Sequence, residues 1–291
     1  MRQPRDDGLP TGTIIGGMDS RERWRLVLSA PLSGPENMAL DEAILESVVA
    51  GDSLPTLRLY SWEPPCLSLG YAQPYADADL GRLRKLEWGL VRRPTGGRAI
   101  LHTEELTYSV AVPERHPLMV GGVLPSYQRL SRGLLAALAN LSLEPEVQPA
   151  AGDSEPDRSN PICFQVPSAY EITVGGRKLI GSAQVRRRGG VLQHGSLPLS
   201  GDIGRVCAGL HFADEAQRAV AAEALRQRAT TVEACLGRRL DWETAARAFA
   251  VGFGREVSLV LEDRPVSSEE LRRTAELNRE RYANPDWTGR L

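Results

Sequence analysis

The sequence predicts an α+β fold: a mainly antiparallel sheet flanked by helices. Three observations lead there. Short β-rich runs are joined by turn dipeptides, helical patterns stand between those runs, and the composition is that of a chain with a full core. Hydrophobic residues make up 42% and charged residues 25% of the 291, the ordinary range for a globular protein. Hairpin-linked strands with interspersed helices pack as layers around one sheet.

The elements follow in order. "WRLVL" at Trp24–Leu28 is an opening strand. "SGPENMALDEAILESVV" begins with Ser33 and Glu36 in the spacing of a capping box, with Pro35 tolerated in the first turn. Leu40, Ala43, Ile44 and Val48 then mark one apolar helical face. "TLRLYSW" and "CLSLGY" are short strands, and a polar helix is expected over Tyr75–Leu86. "WGLVRRPTGGRAILH" reads as strand, glycine turn, strand, and "ELTYSVAV" alternates like another strand. Pro125–Leu141 is a second amphipathic helix, followed by the hydrophilic loop "AAGDSEPDRSNP". "YEITV" and "RKLIGSAQV" flank Gly175-Gly176, a two-residue hairpin signal, and "GGVLQHGSLPL" supplies a further strand. After Asp202 the character turns helical, with a strand at Val257–Leu261 and a last helix near Ser267–Tyr282. Residues 1–20 are expected to be a flexible tail and 21–291 one domain, with about 231–291 as a candidate helical subdomain.

Bulk properties exclude several function classes. A net charge of −2 rules out electrostatic binding of nucleic acid by the molecule as a whole. The four cysteines, at 66, 163, 207 and 235, show no C-x-x-C spacing, which argues against a zinc site or a disulfide framework. No apolar run reaches membrane-spanning length, and Met1–Gly17 lacks the apolar stretch of a signal peptide. A cytoplasmic location without membrane association is expected.

Three groups of residues are candidates for chemistry. In "RRPTGGRAILH" the adjacent Gly96 and Gly97 let backbone N–H groups approach a ligand closely. Arg92, Arg93 and Arg98 around that turn suit a carboxylate or phosphate, although a Gly-Gly hairpin with solvated arginines explains the pattern equally well. His102 and His194 stand in strands, the latter beside Gly195, and a strand histidine is either a satisfied structural residue or a catalyst. Finally, Cys163 in "PICFQVP" precedes Lys178, and only Lys85 and Lys178 among the 35 basic residues are lysine. An unpaired cysteine is commonly a small core residue. A nearby cation would instead favour its nucleophilic thiolate, and an ammonium can donate to an oxyanion.

Read together, "NMALDEAIL", "LSLGYAQ", "RRPTGGRAILH", "ELTYSV", "PICFQVPSAYEITVGGRKLIGSAQVRRRGGVLQHGS" and "ERYANPDWTGR" resemble the lipoate/octanoate protein transferase and ligase family, most of all its octanoyltransferase branch. The resemblance runs from about Arg21 to Arg290. It implies the biotin/lipoate protein ligase catalytic fold, related to class II aminoacyl-tRNA synthetases. It also implies roles: Cys163 as the acyl-accepting thiol, Lys178 as its lysine partner, and Arg93, Gly96 and Gly97 as the loop lining the acyl pocket. His102, His194 and Gly195 would be further pocket residues. One departure is Thr103, where an acidic residue is expected.

The activity so implied is acyl transfer without ATP, cofactor or metal. Octanoyl-acyl carrier protein would be the donor, and a lysine of the glycine cleavage H protein or an E2 lipoyl domain the acceptor. Arg92, Arg186, Arg187 and Arg188 would steer these acidic proteins or form a solvated edge. An ATP-dependent lipoate–protein ligase, an octanoyl amidotransferase and a non-catalytic carrier-binding module are the rival readings.

Overall fold

The computed structural model describes residues 21–149 and 170–291. The tail 1–20 and Cys163 lie outside the described residues. In chain order, β1 (Glu22–Leu28) leads into α1 (Gly34–Ala50), then β2 (Thr56–Tyr60), β3 (Cys66–Leu69), α2 (Leu80–Lys85), β4 (Gly89–Arg92), β5 (Ile100–His102) and β6 (Glu105–Pro113). The next elements are α3 (Val123–Asn140), β7 (Pro145–Pro149), β8 (Tyr170–Val174), β9 (Arg177–Arg187) and β10 (Gly190–Pro198). After these, α4 (Glu215–Arg228), α5 (Val232–Leu236), α6 (Trp242–Glu256), β11 (Leu259–Asp263), α7 (Ser268–Leu277) and α8 (Pro285–Thr288) complete the chain.

Among the described residues eight strands form one sheet in the order β11-β1-β2-β6-β10-β9-β8-β7, and three form a second in the order β4-β3-β5. The large sheet is antiparallel from β2 to β7, as expected, but β1 runs parallel to both β2 and β11. The predicted hairpin at Gly175-Gly176 forms, and a second, at Arg188-Gly189, joins β9 to β10; each has positive φ at both turn residues.

β6 organises the centre because its two faces differ in kind. Leu106, Tyr108, Val110 and Val112 enter the main core with Leu130, Leu134, Phe249 and Phe253 from α3 and α6. Those helices approach closely: a Cβ on Gly252 would lie 2.6 Å from Gly133 O. The alternate residues Glu105, Thr107 and Ser109 are also buried, facing the other way. That face is covered by α1, whose Ser33–Glu36 capping box is present and whose Leu40, Ile44 and Val48 are buried with Ala111 and Leu192. Buried polar groups on this face need partners, and those partners build the site.

Several sequence expectations are corrected. β4 and β5 do not form a Gly-Gly hairpin; both pair with β3, and the loop carrying Gly96-Gly97 crosses over it. The helix expected over Tyr75–Leu86 is a 3-10 turn at Tyr75–Asp77 followed by α2, which restarts because Asp79 caps Arg82 N at 3.0 Å. β7 forms between the second helix and the hydrophilic loop, where the sequence assigns no element, and the last strand lies at Leu259–Asp263 rather than Val257–Leu261. At the C-terminus Trp287 Nε1 donates to Arg92 O at 2.8 Å, tying the closing motif to β4. No described helix is long and apolar enough to cross a membrane.

Candidate active site

The two sheets meet at a cleft enclosing about 440 Å³, open mouth included. Arg93, Gly97, His102, His194 and Gly195, all singled out in the sequence, line it together. Met38, Tyr60, Trp62 and Ile100 supply apolar wall, and Gly181–Ala183 of β9 supply a strand surface. Gly195 lies so close to its neighbours that a Cβ there would stand 2.5 Å from Tyr108 and 2.6 Å from Gly181 O. Gly96 is exposed at the rim, with nothing within 4 Å of a Cβ built on it.

The loop between β4 and β5 is held by its own arginines. Arg93 donates to Ser68 O at 2.9 Å, Gly96 O at 2.8 Å and Arg98 O at 2.7 Å. Arg92, fully buried, donates to Gly70 O at 2.9 Å, Gln73 O at 2.5 Å and Thr288 O at 2.9 Å. The five-donor guanidinium suits such carbonyl clusters. Beneath the loop a Cβ on Gly70 would fall 1.9 Å from Gly97 O, so the backbones make contact there.

Each histidine stands between a hydroxyl and a carboxylate. His102 Nδ1 lies 2.8 Å from Glu105 Oε1 and Nε2 lies 2.8 Å from Ser68 Oγ. An ionised carboxylate only accepts, so Nδ1 carries the proton and Nε2 accepts from Ser68. Glu105 also accepts from Thr107 and, at 2.6 Å, from Ser196. Trp62 stacks flat on His102, with ring centroids 3.9 Å apart and planes 7° from parallel, and its Nε1 donates to Thr107 at 2.7 Å.

His194 has the same order of partners. Thr95 Oγ1 donates to its Nε2 at 2.7 Å, and its Nδ1 points to Asp41 Oδ2 at 3.5 Å. Burial holds its pKa below the ordinary histidine value, partly opposed by Asp41. Asp41 accepts from Arg58 at 2.7 Å, Tyr60 at 2.9 Å and Ser109 at 2.8 Å. Burial pushes its carboxyl up, but Arg58 and His194 more than offset this and hold it below the usual range.

Lys178 lies on β9, the strand that supplies Gly181–Ala183 to the cleft. It is buried, and its Nζ donates to Glu171 Oε1 at 2.8 Å. The arginines expected to steer partners mostly turn inward. Besides Arg92, Arg187 pairs with the buried Glu42 at 2.5 Å, and Arg186 donates to Met119 O at 2.8 Å and Gly122 O at 2.6 Å. Arg188 alone of the four has a mainly exposed side chain.

Sequence reasoning passed over Ser68, Glu105, Trp62, Thr95 and Asp41. A signal existed for two of them. Glu105 follows His102 at i+3, so the departure at Thr103 leaves His102 with a carboxylate. Arg58 in the apolar strand "TLRLY" demands a buried anion, which Asp41 provides. Among the described residues no group of three His, Cys, Asp or Glu could hold a metal ion.

Comparison with known proteins matches this geometry to a family. Residues 33–254 fit the lipoyl protein ligase A/B catalytic domain. A protein of Symbiobacterium thermophilum named octanoyltransferase LipM is 42% identical over 275 residues, covering 92% of this chain and 98% of that one. A Brevibacillus brevis protein of the same name is 39% identical over 271 residues, covering 91% and 98%. Among solved structures, one of the archaeal lipoylation system of Thermoplasma acidophilum, a bi-partite lipoate protein ligase and its E2 lipoyl domain, superposes with a TM-score of 0.75 at 25% identity. It covers 93% of this chain and 98% of that one. On fold, motifs and kinship alike, the chain belongs to the lipoyl protein ligase A/B catalytic domain family.

Proposed function

We infer that the chain is an octanoyltransferase of lipoate biosynthesis, an acyltransferase that moves an octanoyl group to a lysine of a lipoyl-domain protein. The observation carrying this reading is the near-40% identity to octanoyltransferases along nine-tenths of the chain, joined to an apolar-walled cleft at its centre. Burying an eight-carbon tail there would contribute about 5 kcal/mol, at about 0.8 kcal/mol per methylene.

In this reading the Cys163 thiolate attacks the thioester of octanoyl-acyl carrier protein and becomes the acyl-enzyme. The acceptor lysine, on glycine cleavage H protein or an E2 domain, then attacks to form the amide. Thioester exchange is nearly balanced and amide formation is downhill, so no nucleotide is required. Lys178 and backbone N–H groups of the cleft stabilise the tetrahedral oxyanion, a contribution of about 3–4 kcal/mol per donor. Residues 21–291 act as one catalytic unit; the pairing of β11 with β1 and the Trp287–Arg92 bond support this. The enzyme would work in the cytoplasm, beside its carrier-protein donor.

A ligase reading is favoured by one observation: the Thermoplasma acidophilum structure is that of a lipoate protein ligase. The two are separated by mixing enzyme, octanoyl-acyl carrier protein and an apo lipoyl domain without ATP. Octanoylated domain supports the transferase; product that appears only with ATP and free acid supports the ligase.

A further inference from the structure

We propose that Ser68, His102 and Glu105 form the proton relay that deprotonates the acceptor lysine, an inference resting on the octanoyltransferase reading. A lysine ammonium has an ordinary pKa near 10.4, so at neutral pH the nucleophilic amine is about 10³-fold scarcer than its conjugate acid. The site must therefore hold a proton acceptor. Lys178 is engaged elsewhere: its Nζ donates to Glu171 Oε1 at 2.8 Å.

The relay stands out by its hydrogen-bond inventory. A hydroxyl has one proton to donate and two lone pairs. Ser68 spends its proton on His102 Nε2 at 2.8 Å and one lone pair on Arg93, whose guanidinium donates at 3.2 Å. One lone pair remains, on a side chain that borders the cleft from a fully buried position. Its placement follows from β3: Leu67 and Leu69 enter the core beside α4, and the residue between them points the opposite way. Glu105 fixes the tautomer that leaves Nε2 basic, and is itself fixed by Thr107 and Ser196. The positive charge arising on the ring lies between that carboxylate and the Trp62 face, both of which attract a cation.

His194 has a similar chain of partners, but of the two hydroxyls it is Ser68 that lines the cleft. The other ionisable groups around His102 are Arg93, His194 on β10, Tyr60 behind Trp62, and Cys66, which is paired with His102 across β3 and β5.

The steps balance. An ammonium proton passes to Ser68 Oγ as the Ser68 proton passes to His102 Nε2, leaving a neutral amine and an imidazolium. The amine lone pair forms the C–N bond. As the C–S bond to Cys163 breaks, the second N–H proton leaves with sulfur as a thiol. The imidazolium then releases its proton to water.

The test separates the two half-reactions. Wild type, Ser68→Ala, His102→Gln and Glu105→Gln are loaded with octanoyl-acyl carrier protein, then mixed with apo lipoyl domain, and both steps are followed by intact mass from pH 6.5 to 9. The relay predicts transfer slowed by about 10²-fold or more, beyond any loss in acylation. It also predicts that the deficit shrinks by about tenfold per pH unit as free amine accumulates. Wild-type transfer in Ser68→Ala and His102→Gln would overturn it, as would a deficit equal in both steps and flat with pH. Wild type that never acylates would overturn the octanoyltransferase reading, and the relay with it.

Discussion

Arg58 and Asp41 meet at 2.7 Å with neither side chain exposed, and the pair sits directly behind the cleft histidine His194. Removing one partner from such a buried pair strands the other charge, at a cost of about 3–5 kcal/mol. Arg58→Met is therefore expected to lower the denaturant midpoint by that equivalent. Arg58→Met with Asp41→Asn is expected to lose less than the single substitution, because no charge is left unpaired. Denaturant unfolding of the two variants checks the ordering.

The pH dependence of stability follows from His194. Its folded pKa lies below the unfolded value of about 6.5. The unfolded chain therefore binds the extra proton first as pH falls. Stability is fully present above pH 6.5 and declines as pH drops through the window beneath it. Asp41, also depressed, adds a further loss below about pH 4 as its carboxyl protonates. In His194→Gln the decline just below pH 6.5 should flatten while the acid loss persists, as measured by chemical denaturation from pH 7 to 3.

The glycines of the site separate packing from ligand approach. Gly195→Ala places a methyl within 2.6 Å of Gly181 O and is expected to cost about 1–3 kcal/mol as well as activity. Gly96→Ala meets no protein atom within 4 Å, so stability should stay within about 0.5 kcal/mol. If Gly96 borders the bound substrate, transfer falls while the melting temperature holds; unchanged transfer would remove it from the pocket.

Lys178→Arg should fold but lose most transfer. A planar guanidinium cannot take the place of the compact ammonium buried against Glu171, even though its charge is the same. Thermal melts and steady-state transfer rates, measured on one preparation, test this; wild-type turnover would return Lys178 to a structural ion pair.

Much of the fold was legible because local signals agreed with it. Gly175-Gly176 sets its hairpin, and Ser33 with Glu36 starts α1, as the residues suggest. The Gly96-Gly97 hairpin misled because adjacency in sequence hid β3, which lies between the two strands. Arg93, Gly97, His102, His194 and Gly195 were picked out by their motifs and line one cleft. Asp41 was not, since a lone acid beside an apolar helical stripe normally faces water, and only the distant Arg58 explains its burial. Arg92 was misplaced for the converse reason: charge alone does not reveal that a guanidinium turns inward to cap carbonyls.

The most direct test of the central claim is the intact mass of the enzyme after incubation with octanoyl-acyl carrier protein in the absence of ATP. Wild type should gain one octanoyl group, released by hydroxylamine as a thioester is, and Cys163→Ala should gain none. No adduct on wild type, or an undiminished adduct on Cys163→Ala, would contradict the acyl-enzyme account.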